Sequence, residues 1–82
     1  MTSEVIARGL DWVSAEAPLL NMQVKAKTRY RQADQACTIL QIDDSSVRVS
    51  FAQPQRAITP GQALVLYQNR ICLGGGTIEA SH

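Results

Sequence analysis

Apolar and polar residues alternate over short runs in this chain, and turn-forming residues cut the runs off about every ten positions. The clearest run is Val47-Arg48-Val49-Ser50-Phe51. The two-residue period of a strand puts Val47, Val49 and Phe51 on one face and leaves Arg48 and Ser50 to water. Residues 36–42 are the expected partner strand, joined to it through Asp43-Asp44-Ser45-Ser46. There Cys37, Ile39, Leu40 and Ile42 occupy both parities, which implies either burial on both faces or a bulge. Residues 63–67 read the same way. Residues 5–13 are expected to close the barrel as a strand with Trp12 as its large core residue.

The punctuation between the runs supports this reading. In Thr59-Pro60-Gly61-Gln62, proline stands where a type II turn wants φ near −65° and glycine where it wants positive φ. Asn69 marks a hairpin turn before Arg70, and Gln53-Pro54-Gln55 is expected to be a second break. The last strand is expected in two pieces, Ile71-Cys72-Leu73 and Thr77-Ile78, interrupted by Gly74-Gly75-Gly76. Helical periodicity is hard to find; residues 14–20 have room for one helical turn, which Pro18 ends. The fold class is therefore all-β, a small closed or partly open antiparallel barrel.

With 82 residues there is room for one domain and one core. The apolar fraction is 45% and no run approaches the ~20 apolar residues of a membrane helix, so the expectation is a soluble, cytoplasmic protein with no membrane partner. The formal net charge of +1 argues against a general nucleic-acid coat protein. If RNA is bound, the cations must be clustered.

They are clustered. Lys25, Lys27, Arg29 and Arg31 occupy every second position, half of the chain's eight Lys and Arg residues, with no acidic residue among them. On a strand they would form a row ~20 Å long with ~6.6 Å between neighbours. Two readings stand side by side: the wet side of a half-buried strand, with lysines that discourage edge pairing, or a surface for a polyanion. Against the first, Ala26 and Thr28 make a thin core face, and like charges in a row repel. Arg29, Tyr30 and Arg31, with Gln32 beside them, combine guanidinium forks with an aromatic plane, the mix that holds unstacked bases and phosphates.

Other candidate chemistry falls away on inspection. Cys37, Cys72 and the single histidine, His82, match no zinc spacing, and the two cysteines sit in apolar runs as packing residues. Asp43 and Asp44 are a turn rather than an acid–base pair. A strand, not a helix, follows Gly74-Gly75-Gly76, so these glycines serve a tight bulge or a close backbone approach rather than a phosphate loop. With Pro60 and Gly61 they are the expected structural turn and bulge positions. No metal, cofactor or catalytic constellation is expected in this chain.

Three stretches in order, Lys27-Thr28-Arg29-Tyr30-Arg31-Gln32, Pro54-Gln55-Arg56-Ala57-Ile58-Thr59-Pro60-Gly61-Gln62 and Cys72-Leu73-Gly74-Gly75-Gly76-Thr77-Ile78, resemble the C-terminal region of bacterial tRNA-specific 2-thiouridylases. Leu10-Asp11-Trp12-Val13 fits the same region, so the resemblance covers residues 4–79, expected as a single C-terminal barrel domain. It implies a barrel resembling domain 2 of elongation factor Tu, attached in the full-length protein to an N-terminal ATP-pyrophosphatase-type domain and a central domain. It further implies ATP-dependent 2-thiolation of the wobble uridine in tRNAs for Lys, Glu and Gln, with a persulfide as sulfur donor. The phosphate loop and paired catalytic cysteines of that reaction are not in this chain. What carries over is proximity to the tRNA or the active-site mouth, chiefly for Arg29, Tyr30, Arg31 and Gln32; together with Lys25 and Lys27 of the same basic row they are the expected RNA-binding residues. The alternative is a barrel that packs on another domain or protein without touching RNA.

Overall fold

Val47, Val49 and Phe51 are buried along one side of a strand, and the same alternation recurs round a complete barrel. The computed structural model describes residues 2–13, 17–28, 35–56 and 58–81. Among these are six strands: β1 (Thr2–Trp12), β2 (Gln23–Lys27), β3 (Gln35–Ile42), β4 (Ser46–Gln55), β5 (Ala63–Gln68) and β6 (Ile71–Ser81). They close in the order β1-β4-β3-β2-β5-β6, and every neighbouring pair is antiparallel. Closure removes the free sheet edges that a small open sheet would expose.

In so narrow a barrel the inward residues of facing strands meet and fill the interior. Ile39, Leu64, Leu66 and Ile78 are the largest side chains with essentially no exposure, and each such burial is worth about 1.5–3 kcal/mol. Val5 and Ala7 of β1 and Val24 and Ala26 of β2 complete the lining. Trp12 departs from expectation. It is half-buried and packs against the core's edge, because β1 reaches the end of the barrel there.

The two-parity run on β3 resolves as a bulge. Its register against β4 slips between Ile39 and Gln41: Cys37 and Ile39 are buried, Leu40 and Gln41 both face out, and Ile42 returns to pack against the core. Cys72, expected to be buried, is only half-buried.

Two expected breaks are absent. Gln53-Pro54-Gln55 continues β4 to its end, since the β1–β4 register jumps between Glu4↔Ser50 and Thr2↔Gln55 and leaves Pro54 without a ladder partner to deprive of a hydrogen bond. Gly74-Gly75-Gly76 lies inside the continuous strand β6. There Gly75 pairs with Asp11 on one side and Val65 on the other, and a Cβ on it would overlap the carbonyl oxygen of Leu64. The glycines let three strands approach closely instead of ending one of them.

Gly61 has φ 95°, and the Gln62 N–H donates to the Thr59 carbonyl at 3.3 Å, closing the turn into β5. Asn69 has φ 56° in the β5–β6 hairpin turn. In the β3–β4 turn the Asp43 carboxylate accepts from the N–H groups of Ser45 and Ser46, both at 2.8 Å, so it stands in for the backbone acceptors that a two-residue turn would use.

Candidate nucleic-acid interface

Strand β2 presents Gln23, Lys25 and Lys27 outward because Val24 and Ala26 are drawn into the core. Lys25 is exposed and Lys27 half-buried, so the alternation sets both ammonium groups on the outer face of the barrel. Arg29, Tyr30, Arg31 and Gln32, the rest of the expected row, lie outside the described residues. Strand β2 itself ends at Lys27, and Thr28 is buried just beyond it.

Two of the other described cations are paired with carboxylates. Arg8 pairs with Glu79, and Arg48 directs Nε and Nη2 onto the Glu4 carboxylate at 2.7 and 2.6 Å. Among the described residues neither Lys25 nor Lys27 has a carboxylate within ion-pairing distance. Lys27 instead places its ammonium 5.6 Å from the centroid of the Tyr67 ring, within cation–π range.

Tyr67 is the residue that reading along the chain missed. Residues 63–67 suggest a strand buried on both faces or bulged; only Leu64 and Leu66 are buried, Val65 and Tyr67 lie on the outer face, and the register against β6 slips between Leu66 and Tyr67. Period-two alternation could have placed the ring outside. What it could not supply is the cross-strand pairing that sets Tyr67 opposite Lys25.

On its other side Lys25 faces Ala36 of β3, and beside this row Gln23 faces Thr38, which in turn faces Ser50. An open groove of about 420 Å³ runs over this part of the wall, with Tyr67 and Lys25 on one side and Ala36, Thr38 and Ala52 across it. Among the described residues no acidic side chain lines it.

The remaining candidates offer no second site. Among the described residues no three His, Cys, Asp or Glu side chains come together to hold a metal ion. Burial pushes the Cys37 thiol up to about 12, which makes it a poor nucleophile. Hydrogen bonds from Ser45 and Ser46 hold the Asp43 carboxyl below its ordinary range, which keeps it an ionised turn acceptor. No described helix is long and apolar enough to cross a membrane.

The family model of the aminomethyltransferase β-barrel domain matches residues 2–78. The chain belongs to this family. The chain is 51% identical over 79 residues to the tRNA-specific 2-thiouridylase MnmA of Marinomonas sp. (strain MWYL1), a match that covers 96% of this chain and 20% of that protein. It is 55% identical over 76 residues to the enzyme of the same name from Protochlamydia amoebophila (strain UWE25), covering 93% of this chain and 20% of the relative. For Stenotrophomonas maltophilia (strain K279a) the figures are 51% over 70 residues, 85% and 18%. The chain spans about a fifth of the length of these relatives and corresponds to their C-terminal part.

Proposed function

We propose that this barrel is the accessory domain that holds tRNA in a cytoplasmic tRNA 2-thiouridylase. The full-length enzyme would catalyse ATP-dependent 2-thiolation of the wobble uridine in tRNAs for Lys, Glu and Gln, with sulfur supplied by a persulfide. Its chemistry would reside in the N-terminal and central domains and not in this chain.

The observation that carries the tRNA-holding role is the pair Lys25 and Lys27, outward on one strand and without carboxylate partners among the described residues. Neutralising a phosphate there releases counterions without breaking an existing ion pair, and that release is the main source of affinity for a nucleic-acid backbone. Arg29, Tyr30, Arg31 and Gln32 would add to the same tRNA contact. Close similarity to enzymes named for tRNA thiolation supports tRNA as the polyanion.

The test is a salt series of tRNA affinity for Lys25→Ala, Lys27→Ala, Arg29→Ala and Arg31→Ala, with a thermal melt beside each. Every true phosphate contact removed should reduce the slope of log affinity against log salt by about 0.7 to 0.9. Wild-type slopes in all four variants would reduce the row to a solvated strand face.

A second reading has its own observation. Val13, Leu19, Leu20, Leu40 and Ile71 are exposed large hydrophobics, and all lie toward the barrel end where β1, β3 and β5 finish. An apolar end of this kind suits packing on another domain of the longer polypeptide. Under that reading Leu19→Ser with Leu20→Ser would leave the melt of this chain unchanged and lower that of the full-length protein.

A further inference from the structure

We propose that the groove beside Tyr67 seats one unpaired nucleotide of RNA, the base against the Tyr67 ring and the phosphate on Lys25. The inference rests on the tRNA-holding reading and adds to it a contact that electrostatics alone does not supply.

Four features of the wall point to this ligand. The volume of about 420 Å³ falls within the usual range of small-ligand sites. Ala36 and Ala52 are among its lining residues, and their single methyl groups leave room between larger side chains. Tyr67 offers a half-buried aromatic ring that Lys27 restrains from one side, and stacking on such a ring is available to any base once it leaves its own stack. Lys25 directly opposite Tyr67 adds a cation, while Gln23 and Thr38 offer donors and acceptors to the base edge or ribose.

Charge and shape argue against apolar, cationic and duplex occupants. A purely apolar ligand would strand Lys25, Gln23 and Thr38, and a cationic one would meet Lys25 with no acidic side chain among the described lining residues. Paired RNA cannot enter, because its bases are stacked inside the duplex and only its backbone reaches the wall.

The test uses the 82-residue chain, a closed barrel with its own core. Single-stranded hexauridylate, a fully paired RNA duplex of the same strand length, and hexaglutamate are titrated separately into ¹⁵N-labelled protein. Hexauridylate should perturb the amides of Lys25, Ala36, Ala52 and Tyr67. Tyr67→Leu should weaken hexauridylate at least about fivefold, which corresponds to about 1 kcal/mol for one lost stack. It should leave the salt slope and the duplex affinity unchanged, because no charge is removed. Ala52→Leu, on the exposed outer face, should fill the groove and weaken hexauridylate comparably, and it carries the test if Tyr67→Leu lowers the melt.

Unchanged hexauridylate affinity in a folded variant, or hexaglutamate shifting the same amides equally, overturns the nucleotide seat. The tRNA-holding reading survives that result if Lys25→Ala and Lys27→Ala still reduce the salt slope for tRNA. Wild-type slopes in those variants sink the tRNA-holding reading whatever happens at Tyr67.

Discussion

Lys27 and Tyr67 come from neighbouring strands one register step apart, since Lys27 pairs with Val65 and Lys25 with Tyr67, and the Lys27 ammonium reaches back over the ring to 5.6 Å from its centroid. The contact links two features of the outer wall, a cation without a carboxylate partner among the described residues and a half-buried aromatic ring. In a double-mutant cycle of Lys27→Ala and Tyr67→Leu, read by denaturant unfolding, we expect a coupling of about 0.5–1 kcal/mol. Additive effects would mean that the two side chains do not hold each other in solution.

Gly61 and Gly75 should respond to alanine for different reasons and by different amounts. Gly61 has open space around it but φ of 95°, so Gly61→Ala should cost on the order of 1 kcal/mol through backbone strain alone. Gly75→Ala drives a methyl group into the Leu64 carbonyl at the centre of the β5–β6 ladder and should cost several kcal/mol. In a domain of this size, whose stability is about 5–10 kcal/mol, that approaches loss of the fold. Urea midpoints of the two variants decide the order.

Asp43 makes acid stability depend on a turn. Its folded-state pKa lies below the ordinary value, chiefly because the Ser45 and Ser46 N–H groups favour the ionised form. The resulting stabilisation is present above the unfolded pKa and is lost as pH falls through the depressed folded value. Asp43→Ala should therefore lose less stability than the wild type as pH drops below about 4. The wild-type Asp43 carboxyl, followed by NMR, should titrate below the carboxylates of unstructured peptides.

Cys37 should be inert in the folded protein. Burial raises its thiol pKa to about 12, so thiol reagents at pH 8 should modify the half-buried Cys72 first and Cys37 only after denaturation. Because the folded pKa is above the unfolded one, stability from the neutral thiol is complete below about pH 8.5 and declines as pH rises toward 12. Mass spectrometry of native and unfolded samples after alkylation checks the first statement. A Cys37→Ser or Cys37→Val variant compared with the wild type in alkaline melts checks the second.

The local order of this barrel is written in the chain. Val47, Val49 and Phe51 alternate with polar residues because one face of β4 must be dry and the other wet, and nothing distant is needed to read that. The Asn69 hairpin and the Asp43 turn follow from the φ values and short-range hydrogen bonds that those side chains favour. The outward placement of Lys25 and Lys27 follows from the same period, once Val24 and Ala26 are given to the core.

What tertiary structure alone decided are the relations between strands. Ile42 returns to the core side, out of phase with Ile39, because the bulge between Ile39 and Gln41 shifts β3 against β4, a constraint that belongs to the pair and not to either sequence. The glycines of β6 look like an interruption along the chain, yet they lie within a continuous strand because the Leu64 and Asp11 backbones on the two sides leave no room for a Cβ. Tyr67 reads as one more apolar strand residue until closure sets it opposite Lys25 and beside Lys27. Periodicity is a property of neighbouring residues and survives translation into sequence. Register and closure depend on residues dozens of positions apart, whose meeting is settled only when all six strands satisfy their hydrogen bonds and share one core.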